Sequence, residues 1–150
     1  MSTFVSEVSS VPSYDVGIVG ATGAVGIELI KCLFIQKFPL TKLHLYASKR
    51  SVGKVVSSDY GELVIEEYII SEVRKCKIVF LAVSGDFALE NAKLLIEGDG
   101  PIVIDNSSAF RYDVDIPLVV RDIASLHVYS ILSLLGTCVH YRCQRSTLIN

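Results

Sequence analysis

Three glycines at intervals of three residues, Gly20, Gly23 and Gly26, restrict the fold of this chain more than any other feature. The residues before them, 15–19, form an apolar, β-branched run that predicts a buried strand. The residues after them, 27–38, carry apolar side chains at helical spacing and are followed by a proline. A strand that passes into a helix through glycines is the opening unit of a dinucleotide-binding α/β fold.

A turn of this kind can hold a phosphate group. Glycine lets the backbone turn tightly and approach a pyrophosphate, and the free N–H groups of the following helix favour an anion. The spacing here, G-x-x-G-x-x-G, differs from the common G-x-G-x-x-G, and Thr22 adds a hydroxyl donor. The alternative interpretation is a tight strand-to-helix turn without a ligand.

The rest of the first 105 residues continues the alternation of strands and helices. Apolar runs predict strands at 43–47, 55–56, 63–65, 77–83 and 102–104, and a helix at 87–96 that ends at Gly98 and Gly100. Such alternation predicts an α/β protein with a Rossmann-like, doubly wound, mostly parallel sheet.

The end of the second strand predicts which dinucleotide is bound. Residues 46–51 read Tyr-Ala-Ser-Lys-Arg-Ser, with no acidic residue to hold a ribose 2′-hydroxyl as NAD requires. Two cations and the hydroxyls of Ser48 and Ser51 suit a 2′-phosphate, with the guanidinium of Arg50 as its fork-shaped donor. NADP is therefore predicted over NAD. The alternative is a solvated basic loop.

Two further segments follow predicted strands at the edge where ligands of doubly wound sheets bind. Ser84 and Gly85 are small enough to let a cofactor lie against the sheet, although Ser84 or Asp86 could simply cap a helix. Residues 105–111, Asp-Asn-Ser-Ser-Ala-Phe-Arg, offer Arg111 as a clamp for an anion. Alone, such an arginine is more often an ordinary surface residue.

Composition excludes several other classes of protein. The 150 residues are 51% apolar with a mean hydropathy of +0.49, which excludes a disordered chain. A net charge of −2 argues against a nucleic-acid partner. The sequence lacks a secretory leader and an apolar run of about 18 residues, so we expect no membrane partner and a cytoplasmic location, with a plastid location of a longer precursor as the alternative.

The character of the chain changes near residue 120. Residues 121–150 are rich in Leu, Ser and Cys, with a possible short helix at 131–135, and we interpret them as a divergent tail. Cys138, His140 and Cys143 are too close together, and lack a fourth ligand, for a zinc site, so no metal is predicted. Residues 1–13 are expected to be a disordered tail.

Several motifs together resemble one enzyme family. The stretches are residues 19–26, 38–40, 47–54, 79–85, 105–111 and 115–120. In this order they are similar to aspartate-semialdehyde dehydrogenase, over residues 14–120. The resemblance implies the NADPH-dependent reduction of L-aspartyl 4-phosphate to L-aspartate 4-semialdehyde, with release of phosphate, in the biosynthesis of lysine, threonine, methionine and isoleucine.

The resemblance also implies roles for individual residues. It assigns the cofactor diphosphate to residues 22–25, which adds Ala24 and Val25 to the glycine turn, and the 2′-phosphate to Arg50 and Ser51. It assigns the acyl phosphate of the substrate to Arg111, and Asn106 is a weaker candidate for the same phosphate. It further implies a homo-oligomer.

Other parts of the family pattern do not match this chain. The family's nucleophile lies in an Asn-Cys-x-Thr motif, and the surroundings of Cys138 and Cys143 differ from it. We therefore predict no catalytic residue, and expect the substrate and dimerisation domain to be absent from a truncated chain. Two alternatives stay open: a non-catalytic NADP-binding fragment or interaction module, and a protein similar to N-acetyl-γ-glutamyl-phosphate reductase.

Overall fold

The fold is one mixed sheet with helices on its faces. The computed structural model describes residues 13–116 and, for the backbone, residues 118–119 and 139–142. In chain order the elements are β1 (Tyr14–Val19), α1 (Ala24–Ile35), β2 (Leu40–Ala47), a 3₁₀ turn (Lys49–Ser51), β3 (Val55–Ser58), β4 (Gly61–Glu67), α2 (Ile70–Val73), β5 (Ile78–Leu81), α3 (Gly85–Ile96), β6 (Ile102–Asp105), β7 (Leu118–Val119) and β8 (Val139–Arg142).

The strand order defines where a ligand can bind. The order of strands in the sheet is β3-β4-β2-β1-β5-β6-β8-β7. The five neighbouring strands β4, β2, β1, β5 and β6 are parallel. The chain leaves β1 in one direction towards β2 and later returns to β5 on the other side of β1. This reversal is the topological switch point of a doubly wound sheet, where a crevice opens outside the carboxyl ends of the strands. The predicted Rossmann-like fold class is confirmed.

Two apolar clusters hold the sheet, one on each face. Val16 and Ile18 of β1 are fully buried in one cluster with α1, whereas Val19 belongs to the other cluster with α3. The parallel strand β5 is buried on both faces, as its uninterrupted apolar sequence predicts. Because α1 follows the end of β1 and α3 follows the end of β5, the first turns of both helices lie at the carboxyl edge of the sheet.

Element boundaries differ from the sequence prediction where local turns intervene. The first helix begins at Ala24, three residues earlier than predicted, and ends at Ile35. The 3₁₀ turn and the four-residue α2 were not predicted, since both are too short to show a periodicity. The possible helix at 131–135 and all but the last residue of the 1–13 tail lie outside the described residues.

A strand from the last part of the chain extends the sheet. Residues 139–142 form β8, which pairs antiparallel with β6 on one side and with β7 on the other. The sequence pattern did not predict this strand, because a four-residue segment gains its conformation from the edge it pairs with.

One arginine ties the end of α3 to the loop before β5. Arg74 donates from Nη1 to the carbonyl oxygens of Leu94 (2.6 Å) and Leu95 (3.1 Å), and from Nη2 to that of Glu97 (2.6 Å). The last carbonyl oxygens of a helix have no N–H donors within the helix. A cation at this end also interacts favourably with the helix dipole. The guanidinium therefore completes the C-terminal turn of α3.

We expect Arg74→Met to lower the free energy of unfolding by about 1–3 kcal/mol, because three charge-assisted hydrogen bonds are lost while the aliphatic stem is kept. Urea unfolding followed by circular dichroism measures the change. Arg74→Lys keeps the positive charge but lacks the fork-shaped guanidinium. Its free energy of unfolding should lie between those of wild type and Arg74→Met. Equal stability of all three proteins would show that the guanidinium does not stabilise the helix end.

Candidate functional site

An open cleft of about 530 Å³ lies at the carboxyl ends of β1, β2, β4 and β5. Its walls come from the glycine turn, the ends of β2 and β4 with the residues that follow them, and the entry to α3. The lining residues are Val19, Gly20, Thr22, Gly23, Ala47, Ser48, Lys49, Glu67, Tyr68, Ala82, Val83, Ser84 and Phe87. The cleft therefore occupies the crevice that the strand order defines.

The fold itself requires two of the three glycines. Gly20 has a φ of +86°, and a Cβ there would collide with the carbonyl oxygen of Ala82. A Cβ at Gly26 would collide with the carbonyl oxygen of Gly20 and with Ala21. The backbone N–H groups of Gly20 and Ala21 both donate to the Tyr46 carbonyl, at 2.9 and 3.2 Å, which holds the turn against β2.

The third glycine is not required in this way. Gly23 is the N-cap of α1 with φ −79° and ψ 165°, values that any residue adopts, and the nearest atom to an added Cβ is 3.3 Å away. It supplies no capping side chain, and the first turn holds no acidic residue. The first intrahelical bond is from Ile27 to the Gly23 carbonyl, so the N–H groups before it lack helical acceptors.

The N-terminus of α3, the other long helix that starts at this edge, is already capped. Ser84, the N-cap of α3, accepts a hydrogen bond from the Phe87 N–H at 3.4 Å, and Asp86 lies in the first turn. The alternative interpretation of Ser84 as a helix cap is thus correct, although the residue also lines the cleft. Since α3 has a cap and an acid, and the four-residue α2 has Glu72 in its first turn, α1 is the helix of the described ranges whose N-terminus is open to an anion.

The basic loop after β2 presents only part of its charge to the cleft. Ser48 and Lys49 line the cleft, whereas Arg50 and Ser51 are not among the lining residues. Lys49, Arg50 and Ser51 form a 3₁₀ turn, in which successive side chains point about 120° apart. Lys49 Nζ lies 3.4 Å from Glu67 Oε1, an acidic side chain at the end of β4 that the sequence analysis did not single out.

An aromatic pair forms part of the cleft wall. The rings of Tyr68 and Phe87 meet edge to face with centroids 5.0 Å apart, and Tyr68 Oη donates to Asn91 Oδ1 at 3.0 Å. Burial raises the pKa of Tyr68 to about 12, so the hydroxyl keeps its proton at neutral pH. Neither ring was predicted, because only tertiary packing brings residues 68 and 87 together.

The segment after β6 is folded around a buried carboxylate. Asp105, 2% exposed, accepts from Ser107 N (3.2 Å) and Ser107 Oγ (2.6 Å), and Ser107 Oγ accepts from Ala109 N (3.1 Å). Ala109 lies about 3.9 Å from where a Cβ on Gly85 would be, so this segment sits beside the entry to α3.

The candidate substrate residues lie on the same segment, outside the cleft lining. Asn106 donates its backbone N–H to the Leu81 carbonyl at 3.3 Å and is partly exposed. Arg111 is exposed and, within residues 13–116, its guanidinium makes no ion pair with a carboxylate. The other predicted residues absent from the lining are Ala24, Val25, Gly26 and Gly85.

The cysteines of the described part are poor nucleophiles. Cys32 and Cys76 are buried, and burial raises the pKa of both thiols, so each stays protonated at neutral pH. Among the described residues no group of His, Cys, Asp or Glu side chains could hold a metal ion. Cys138 and Cys143 lie outside them, and residue 140 is described only in its backbone.

No helix in the described ranges is long and apolar enough to cross a membrane.

Fold, glycine turn and cleft together define a Rossmann-like dinucleotide-binding domain. The NAD-binding domain of semialdehyde dehydrogenase matches residues 15–131 of this chain. The chain belongs to that family, and the region matched is the part that binds a nicotinamide dinucleotide. The resemblance predicted from the sequence motifs is confirmed.

Curated relatives are aspartate-semialdehyde dehydrogenases. The protein of Synechocystis sp. is 40% identical over 108 residues, which are 72% of this chain and 32% of that protein. The protein of Aquifex aeolicus is 41% identical over 111 residues, 73% of this chain and 32% of that protein. The chain thus spans about a third of the length of these relatives.

Solved structures show the same similarity. Aspartate semialdehyde dehydrogenase II of Vibrio cholerae, complexed with ASA, has a TM-score of 0.67 and 36% identity, over 75% of this chain and 36% of that one. The Candida albicans enzyme with NADP has a TM-score of 0.57 and 28% identity, over 73% of this chain and 34% of that one.

We expect Ser107→Ala to lower the free energy of unfolding by about 1–3 kcal/mol, because it leaves the buried Asp105 carboxylate without its hydroxyl donor. Ser108→Ala, at an exposed neighbouring position, should change it by less than about 0.5 kcal/mol. Urea unfolding of the three proteins measures both. A Ser107 variant as stable as the Ser108 variant would contradict the structural role of this hydroxyl.

Proposed function

We propose that this chain is the cofactor-binding part of an NADP-dependent aspartate-semialdehyde dehydrogenase, which reduces L-aspartyl 4-phosphate to L-aspartate 4-semialdehyde and releases phosphate. The observation that carries the proposal is the open, acid-free N-terminus of α1 at the cleft. The relatives named aspartate-semialdehyde dehydrogenase support the choice of reaction.

The residues of the glycine turn suit a pyrophosphate. Free N–H groups at the start of α1 would donate to its oxygens, and the hydroxyl of Thr22 adds a further donor at the cleft. A side chain at Gly20 or Gly26 is impossible in this fold, so the backbone there stays open to a ligand. The proposed pyrophosphate-binding residues are Gly20, Thr22, Gly23, Ala24, Val25 and Gly26.

The proposed choice of NADP rests on the loop after β2. Ser48, Arg50 and Ser51 are the proposed 2′-phosphate-binding residues, as hydroxyl and guanidinium donors suit a dianion. The Candida albicans relative was crystallised with NADP, which is consistent with this choice.

Ser84, Gly85 and the segment after β6 are proposed to face the reacting end of the cofactor. Arg111 is exposed and has no carboxylate partner within the described residues, so its guanidinium is available for the acyl phosphate, with Asn106 beside it on the same segment. The nicotinamide supplies the hydride when bound. The two described cysteines are buried, so neither is proposed as the nucleophile.

Gly23→Asp tests this proposal at a position whose backbone angles suit any residue. An added Cβ would lie 3.3 Å from the Gly20 carbonyl oxygen, so that oxygen must move by a few tenths of an ångström. This shift offsets the gain from capping α1, and we expect the free energy of unfolding to change by less than about 1 kcal/mol. The charge of the aspartate would lie where the pyrophosphate is proposed to bind. We expect wild type to melt at higher temperature with increasing NADP, and Gly23→Asp to lose that shift entirely.

Gly23→Asn is the matched control, because it has the same shape and capping ability without the charge. It should keep a reduced NADP-dependent shift in melting temperature. A shift for Gly23→Asp equal to that of wild type, or no shift of wild type with either NADP or NAD, would overturn the assignment of the cofactor site.

A further inference from the structure

The strand beside β2 brings an acidic side chain to the cleft. Ala47 and Glu67 are the last residues of β2 and β4, and they are partners in the parallel pairing of these strands. The N–H of Tyr68 donates to the Ala47 carbonyl at 3.1 Å, so the carboxyl ends of β2 and β4 stay together beyond the paired residues. The carboxylate that β2 lacks at its own end is therefore supplied by β4.

The loop that carries the cations is held against β4. Gly53 N donates to the Ile65 carbonyl, and Ile65 N donates to the Lys54 carbonyl, both at 2.9 Å. The end of the loop formed by residues 48–54 is therefore fixed against β4 at Ile65. Of the loop's three cations, Lys49, Arg50 and Lys54, Lys49 is the one that lines the cleft, and its ammonium lies 3.4 Å from the Glu67 carboxylate.

The ion pair between Lys49 and Glu67 can break when a more highly charged anion, such as a phosphate dianion, binds nearby. The Lys49 side chain is 87% exposed, and an ion pair so accessible to water contributes little to folding. A phosphate dianion would compete for the ammonium, and the Glu67 carboxylate, 38% exposed and fixed at its strand end, would remain nearby as a like charge.

We propose that Glu67 and Lys49 together set the preference between the phosphorylated and the unphosphorylated dinucleotide. This inference rests on the proposed function. Lys49 attracts a 2′-phosphate, while Glu67 holds that ammonium in the free protein and repels the phosphate in the complex. Glu67 can also accept a hydrogen bond from a ribose 2′-hydroxyl, which favours NAD. The preference for NADP is thereby lower than the basic loop alone would give.

The test compares dissociation constants of NADP⁺ and NAD⁺, measured by isothermal titration calorimetry on the 150-residue chain at fixed salt. Glu67→Gln should raise the ratio Kd(NAD⁺)/Kd(NADP⁺) by about five- to tenfold, because the like charge is removed. Lys49→Gln should lower the ratio by about tenfold through loss of a charge-assisted hydrogen bond.

Glu66→Gln is the matched control. Glu66 precedes Glu67 in β4, so its side chain points to the opposite face of the sheet, where it bonds to His44 Nδ1 at 2.9 Å. The net charge changes equally, and we expect the ratio to change by less than about twofold. Melting temperatures of all the variants show whether each is folded.

The outcomes separate this inference from the proposed function. Failure of wild type to bind either nucleotide overturns the proposed function and this inference with it. Binding of NADP⁺ by wild type, with a ratio in Glu67→Gln that matches Glu66→Gln, overturns the role of Glu67 and leaves the cofactor site intact. A raised ratio in both variants shows a general charge effect and also overturns it.

Discussion

The close approach of α1 to the end of β1 is the constraint on which the cleft depends. A Cβ on Gly26 would collide with the carbonyl oxygen of Gly20, and Gly20 itself has a left-handed backbone against Ala82. With side chains at positions 20 and 26, the helix would have to move away from the sheet edge. The first N–H groups of α1 would then no longer border the crevice. The crevice would remain between the strand ends, but its wall would lack the N-terminus of α1.

The sequence predicted correctly those features that depend on residues close together in the chain. Glycine spacing between a strand and a helix placed the turn correctly, because backbone conformation at Gly20 depends on the residue itself and its neighbours. Uninterrupted apolar runs identified the inner parallel strands. Boundaries were less accurate, since the N-cap role of Gly23 moves the start of α1 earlier than the first apolar residue of its buried face.

Features that depend on distant parts of the chain could not be predicted. Glu67 reaches the cleft through the pairing of β4 with β2, and the aromatic wall unites residues from two separate elements. The sequence 48–51 could not tell which cation lines the cleft, because that depends on the 3₁₀ turn after β2. Arg111 lay outside the cleft lining for a related reason: its position depends on how the segment after β6 folds around Asp105.

The strand order also has a consequence for the way the chain matures during synthesis. The central strand β1 is made first, but its second neighbour, residues 78–81, leaves the ribosome some sixty residues later, and the outer edge of β6 waits for residues 139–142. Until then β6, three of whose four residues are apolar, has one open edge, where another nascent chain could pair. Parallel sheets with such distant partners form slowly. The interval between these segments is thus a period in which the open edge of β6 exposes the nascent chain to aggregation.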